Sequence, residues 1–145
     1  YAQSNRERYE GFCQALTDAG KKVDSSLCLT TPLGIDTYRE EIDTFLSSLS
    51  RMPDAFVCAS DYVACILMQL LEKRGLRVPE DVAVSGFANN TEDLLAEHLT
   101  TVQVFNEELG ARLALQILYR IKYPNTPHEI TYLGTNVLYR DSTGD

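Results

Sequence analysis

Residues 53–102 decide the fold that this sequence predicts. Residues 53–64 read P-D-A-F-V-C-A-S-D-Y-V-A, residues 75–90 read G-L-R-V-P-E-D-V-A-V-S-G-F-A-N-N, and residues 99–102 read L-T-T-V. The short apolar runs 55–59 and 82–87 are typical of strands that are covered on both faces. Between them, apolar residues at helical spacing predict a helix that Asp61 can cap and Gly75 ends. This order predicts an open sheet that binds small molecules at the carboxyl ends of its strands.

Two helices are predicted before this stretch. Ser4 and Glu7 form a capping-box pattern at the start of the first, which Gly20 ends. Thr37 and Glu40 repeat the pattern at the start of the second. The first helix carries one apolar stripe, of Tyr9, Phe12, Cys13 and Leu16. The buried face of the second is predicted to consist of Tyr38, Ile42, Phe45, Leu46 and Leu49.

The remaining segments complete an α/β pattern. Residues 26–30 predict a short strand, Asn106 opens a long final helix, and residues 130–139 are extended. Alternation of strands and helices predicts an open, mostly parallel sheet flanked by helices on both faces. The chain starts on a helix with no strand before it, which indicates a fragment of such a fold.

Length and charge limit the possible functions. The 145 residues correspond to about one domain, with 21 acidic and 13 basic side chains and a net charge of −8. This charge argues against direct binding to nucleic acid, which needs clustered Lys and Arg. No apolar run approaches the roughly 20 residues that span a bilayer, so no membrane contact is expected.

The four cysteines indicate the cellular compartment. Cys13, Cys28, Cys58 and Cys65 lie in apolar stretches without a C-x-x-C motif. Free thiols in a reducing cytoplasm are the favoured interpretation, with disulfides or metal ligands as the less favoured alternatives.

No pattern points to catalysis. The sequence lacks a G-x-S-x-G elbow, a Walker A loop and a G-x-G-x-x-G motif. His98 and His128 are far apart in polar surroundings, which favours surface roles over a base or a metal ligand. We therefore expect neither an enzyme nor a cofactor.

Several motifs together resemble one regulator family. Residues 8–16 read R-Y-E-G-F-C-Q-A-L and residues 138–143 read L-Y-R-D-S-T, with residues 53–102 between them. In this order they resemble the effector-binding domain of LacI/GalR-type bacterial transcription regulators. The resemblance implies a type I periplasmic-binding-protein-like fold of two lobes, of which this chain would cover the carboxyl-terminal part.

The resemblance also implies how the chain is divided between the lobes. Residues 1–102 would form the carboxyl-terminal lobe. Residues 103–134 would cross to the amino-terminal lobe, most of which is missing, and residues 135–145 would return. Without that lobe, we expect the apolar face of the final helix to be covered by another chain or to pack differently.

The strongest predicted ligand contact is Arg8. By resemblance, it is the arginine that projects into the cleft between the lobes and hydrogen-bonds the effector. A guanidinium presents a planar fork of donors that suits hydroxyl pairs, carboxylates and phosphates. A solvated surface arginine is the alternative interpretation.

Three further positions depart from the family pattern. Ser60 stands where the family usually has Asn, and it keeps only a hydroxyl for a ligand contact. Ala88 stands where the family has an acid that binds sugar hydroxyls, so the usual carbohydrate anchor is missing. Asn89 either compensates as a secondary contact or, with Asn90, only shapes the turn. Val104 replaces a residue that is often polar in the family.

The resemblance places two further features less sharply. Tyr38 and Ile35 lie near the region where the family puts an aromatic ring against the effector, although helical spacing favours a core role for Tyr38. Leu67, Met68 and residues 94–99 correspond to a homodimer seam in the family. Burial of these side chains would indicate core, and exposure an interface.

The function implied is that of the effector-binding and dimerisation part of a cytoplasmic regulator. It would sense a sugar or related metabolite, and it would reach DNA only through a headpiece outside this chain. One alternative is an extracytoplasmic sugar-binding protein of a transporter. The other, suggested by Ala88 and Val104, is a regulator-derived module that no longer binds an effector.

Overall fold

A computed structural model describes residues 3–31, 34, 36–89 and 94–144. Its helices and strands follow the predicted order, except that no strand separates the first two helices. In chain order they are α1 (Gln3–Asp18), α2 (Tyr38–Ser48), β1 (Ala55–Val57), α3 (Asp61–Lys73), β2 (Ala83–Ser85), β3 (Thr101–Gln103), α4 (Asn106–Lys122) and β4 (Asn136–Leu138). Short 3-10 helices occupy Ser25–Leu27, Leu94–His98 and Asp141–Thr143.

The four strands form two short ladders that isolated bridges connect. β1 runs parallel to β2, with Phe56 opposite Val84, and β3 runs antiparallel to β4, with Val102 opposite Val137. Parallel bridges from Ser85 to Thr100 and from Ala88 to Gln103 join β2 to the β3 region. The strand order is therefore β1-β2-β3-β4, and the predicted α/β class with a mostly parallel sheet is confirmed.

The core lies between α2, α3 and β2. Ile66, Leu67, Leu70 and Leu71 of the predicted α3 stripe are buried, whereas Val63 is half-buried. The remaining buried apolar side chains are Ile42 and Leu46 of α2, Ala64 and Cys65 of α3, Val82, Val84 and Leu99. Leu67 and Leu99, which the resemblance places at a homodimer seam, are buried here and are therefore core residues. Met68 is half-buried and packs against the core.

The predicted strand over residues 26–30 is wrong. Asp24 accepts hydrogen bonds from the Ser26 backbone N–H at 2.9 Å and from the Ser26 hydroxyl at 2.6 Å. Leu27 N–H bonds back to the Asp24 carbonyl at 3.1 Å, which closes a 3-10 turn. The Ser26 N–H, which in a strand would bond a neighbouring strand, therefore bonds the nearby Asp24 carboxylate instead.

The prediction that residues 55–59 are covered on both faces is also wrong. Ala55 and Val57 point to one face of β1 and are exposed, Val57 to 63%, while Phe56 on the other face is only half-buried. The reason is that residues 55–59 line a large cavity, so neither face of the strand is fully covered.

The predicted helix starts are partly wrong. Ser4 lies inside α1, so it does not cap it. Thr37 does stand immediately before α2, but its hydroxyl donates to the Glu41 carboxylate and no helix N–H bonds to it. The predicted stop at Gly20 is confirmed, since its φ of +68° belongs to the left-handed region that favours glycine.

The apolar face of α4 is uncovered in this chain. Its large side chains are each about half exposed or more: Leu109, Leu113, Ile117, Leu118 and Ile121. This is what we expect of a helix whose packing partners lie outside the chain, although the lobe boundaries stay a prediction. Within the part of the chain that the structure describes, no helix is long and apolar enough to cross a membrane.

Candidate functional site

Arg8 lies where α1 meets the carboxyl ends of β1 and β2. Its Nη1 donates to the carbonyl of Ala59, directly after β1, at 3.0 Å and to the Asn5 side chain at 3.1 Å. Its guanidinium carbon lies 3.8 Å above the centre of the Phe87 ring, which follows β2. Half-burial lowers the pKa of Arg8 by desolvation. These contacts hold the cation in a fixed position instead of leaving it as a freely solvated surface arginine.

A cavity of about 590 Å³ opens beside Arg8. Ser60 and Tyr38 also line it, so the fold brings three of the five predicted site residues to one cavity. Ligand sites typically have volumes of about 300–1,000 Å³ and a mostly apolar lining with a few polar groups. Segment 27–31, α1, α2 and β1 form its walls.

Ser60, and not Asp61, caps α3. The Ser60 hydroxyl accepts from the Val63 backbone N–H at 3.3 Å. The predicted Asp61 cap is therefore wrong: Asp61 is only 1% exposed, and its carboxylate accepts from the Thr101 hydroxyl. The Asp61 N–H also donates to the Phe87 carbonyl at 3.1 Å, which ties the start of α3 to the turn after β2.

The other two predicted site residues do not line the large cavity. Ala88 and Asn89 have φ of +107° and +52°, and the Ala88 N–H donates to the Val102 carbonyl at 2.8 Å. The Asn89 side-chain oxygen accepts from Arg140 Nη2 at 2.8 Å, beside a smaller pocket of about 120 Å³. The positive φ of Asn89 fits a place in the turn, while its role as a secondary ligand contact stays a prediction. Asn90 and Ile35 lie outside the described residues.

Tyr38 has a structural partner as well as a place in the cavity wall. Its ring makes an edge-on contact with Tyr62, with centroids 5.8 Å apart and an interplanar angle of 74°. It is half-buried and packs against the core. The favoured core interpretation therefore fits, while a ligand contact by the same ring stays a prediction.

Sequence reasoning missed the cluster that supports this site. Ser142 is buried; its hydroxyl accepts from the Thr100 N–H at 2.8 Å and donates to the Val84 carbonyl at 2.6 Å. Arg140 Nη1 donates to the carbonyls of Ala96 and Leu99 at 3.0 and 2.9 Å. The R-D-S-T motif was the available signal, but it does not reveal which distant groups its side chains bond.

Cys58 should be chemically protected. The pKa of its thiol is raised to about 12, chiefly by burial, with the neighbouring Cys65 and Asp61 adding to the effect. Cys58 is half-buried and lines the same cavity, so its weak acidity lowers its reactivity more than blocked access does. At pH 8 we expect iodoacetamide to modify native Cys58 much more slowly than Cys58 of urea-unfolded protein, with the native rate rising as the pH is raised. Peptide mass mapping measures this, and rapid native labelling at pH 8 would contradict it.

The described thiols and acidic side chains are spread over several elements of the fold. Within the described ranges the four cysteines are free, and no three His, Cys, Asp or Glu side chains are grouped to hold a metal ion. His98 bonds the Asp141 carboxylate at 2.6 Å on the surface.

Comparison with known proteins identifies the family. Residues 1–143 match the family of the periplasmic binding protein-like domain. The chain belongs to this family. Its similarity to solved members extends over nearly the whole chain: the complex of the transcriptional regulator CelR with cellobiose has a TM-score of 0.81 and 30% identity, covering 94% of this chain and 42% of that one. A putative LacI-family regulator from Sanguibacter keddieii has a TM-score of 0.78 and 30% identity, covering 95% and 52%.

Curated relatives of this periplasmic binding protein-like domain are transcription regulators. The regulator DegA of Bacillus subtilis is 34% identical over 107 residues, which are 73% of this chain and 31% of DegA. CelR of Thermobifida fusca is 33% identical over 142 residues, 94% of this chain and 40% of CelR. The chain thus spans about a third to two fifths of these relatives. The predicted resemblance to LacI/GalR-type regulators is confirmed.

Proposed function

We propose that this chain is the part of a LacI-type transcription regulator that binds a small effector, and that the effector lies in the Arg8 cavity. The observation that carries the proposal is the convergence of Arg8, Ser60 and Tyr38 on one cavity of about 590 Å³. The cavity lies beside the carboxyl end of β1, where open α/β sheets bind ligands. The solved complex of CelR with cellobiose supports a sugar or related metabolite as one class of effector.

Signal transfer would then be a population shift. A ligand that contacts both lobes favours one relative arrangement of them, and a homodimer passes this change to DNA-binding headpieces. Residues 1–102 and 135–145 would belong to the lobe described here, and α4 would pack on the second lobe through its exposed apolar face. Such a regulator acts in the cytoplasm and performs no catalysis. The regulator names of the relatives favour this role over that of a transporter's binding protein.

Removing the Arg8 guanidinium tests the site. On the intact regulator, we expect Arg8→Ala to weaken binding of a bound probe by about tenfold or more, since charge-assisted hydrogen bonds are lost. Ligand-observed NMR with cellobiose, sucrose, glucose and 3-phenylpropionate supplies the dissociation constants. The matched control is Arg6→Ala, because Arg6 is exposed and only pairs with Glu10 at 3.9 Å.

The outcomes separate the alternatives. Loss of binding in Arg8→Ala but not in Arg6→Ala supports the cavity. Equal binding by wild type and Arg8→Ala would show that the effector lies elsewhere. If no carbohydrate or carboxylate bound the wild type, the result would favour the alternative of a regulator-derived module that no longer binds an effector.

A further inference from the structure

The charge in the cavity is unbalanced. Among the described residues that line it, Arg8 is the only charged one, and none is Asp or Glu. The hydrogen-bond partners of Arg8 are both neutral, the Asn5 amide oxygen and the Ala59 carbonyl. A half-buried cation without a carboxylate partner loses hydration that its protein contacts only partly replace. An anion in the cavity would therefore bind with a more favourable free energy than a neutral ligand of the same shape.

The geometry of the guanidinium leaves one edge available. Both hydrogen bonds of Arg8 come from Nη1, and Nε and Nη2 have no hydrogen-bond partner among the described residues. The pair Nε and Nη2 is a fork of parallel donors that matches the two oxygens of a carboxylate. Phe87 covers one face of the guanidinium plane and so helps to fix the direction of this edge.

Apolar side chains form much of the rest of the cavity wall, among them Phe12, Leu27, Leu29, Phe45, Phe56 and Val63. Polar groups are also present in the wall, on Asn5, Tyr9, Thr30, Thr31, Tyr38 and Ser60. An aryl or alkyl body against the apolar part would be favourably desolvated, whereas each hydroxyl group of a polyol placed there would lose hydrogen bonds to water.

We propose that the cavity selects a small carboxylate with an apolar body, its two oxygens on the Nε/Nη2 edge of Arg8 and its body against the aromatic wall. This rests on the proposed function, which requires only that a small effector binds there. The net charge of −8 opposes an anion at long range. Ionic screening limits that opposition to about 8 Å at physiological salt, so the adjacent guanidinium dominates.

Matched probes test the charge and the body separately. On the intact regulator, ligand-observed NMR would compare 3-phenylpropionate with its neutral amide, 3-phenylpropionamide, and with cellobiose. We expect the carboxylate to bind at least tenfold more tightly than the amide. Arg8→Ala should abolish this difference, while Arg8→Lys should keep part of it and Arg6→Ala all of it.

The results distinguish the two proposals. Binding of cellobiose with no binding of 3-phenylpropionate would overturn the carboxylate inference and leave the proposed function standing. Equal affinity for the acid and the amide, or an acid preference that survives Arg8→Ala, would also overturn it. Absence of binding by all three probes would overturn the carboxylate inference. If sucrose and glucose also failed to bind, the proposed function itself would be contradicted.

Discussion

Gly86→Ala is expected to lower the free energy of unfolding by about 3 kcal/mol or more. A methyl group at Gly86 would overlap the Asp61 Oδ1 atom and lie 2.8 Å from Leu99 Cδ2. Neither neighbour can move into solvent, because Asp61 is 1% exposed and Leu99 is fully buried. The Asp61 carboxylate would also have to leave the Thr101 hydroxyl, which adds the cost of a broken buried hydrogen bond. Urea denaturation of the intact protein, followed by circular dichroism, measures the change.

The matched control is Gly110→Ala. Gly110 lies within α4, and an added Cβ there meets nothing within 4 Å. Because alanine has the higher helix propensity, we expect this change to be neutral or to stabilise by up to about 1 kcal/mol. If Gly86→Ala unfolded at the same urea concentration as Gly110→Ala, the close packing of the turn on Asp61 would be wrong.

Ser142→Ala is expected to destabilise the protein by about 2–3 kcal/mol. The substitution removes one hydroxyl that serves two backbone groups, the Thr100 N–H and the Val84 carbonyl. Ser142 is 2% exposed, so water has little access to replace either bond. The same urea titration gives the value.

Ser50→Ala provides the comparison for Ser142. Ser50 is exposed, so its substitution should change the free energy of unfolding by less than about 0.5 kcal/mol. Equal midpoints for the two variants would mean that the terminal R-D-S-T segment does not hold β2 and residues 99–101 together.

The elements that sequence reasoning predicted well are those with strong local signals. The helix α3 has a continuous apolar stripe, a polar residue at its start and a glycine with φ of +76° after its end. β2 belongs to a short apolar run, in which Val84 and the preceding Val82 are fully buried. In these cases periodicity, capping and burial agree, so the local sequence pattern is enough to predict the element.

Two of the wrong predictions, the strand over residues 26–30 and the Asp61 cap, have competing hydrogen bonds as their cause. Asp24 captures the Ser26 N–H and prevents a strand. Asp61 bonds a residue 40 positions away, which leaves the cap to Ser60. For Asp61, no local pattern could show which donor its carboxylate binds, because that donor is distant in sequence.

The candidate site was predictable to a similar extent. Arg8, Ser60 and Tyr38 were chosen by resemblance, and they line one cavity. The uncompensated charge of Arg8 could not be predicted, because it depends on the absence of acids from walls contributed by several distant segments. The ligand roles of Arg8, Ser60, Tyr38, Ala88 and Asn89 remain predictions.

The most direct test of the central claim is a crystal structure of the intact regulator with its tightest-binding probe. We predict that the probe occupies the cavity beside β1, with a polar oxygen about 3 Å from the Arg8 guanidinium. A probe bound at another place, with Arg8 still bonded only to Ala59 and Asn5, would contradict the account.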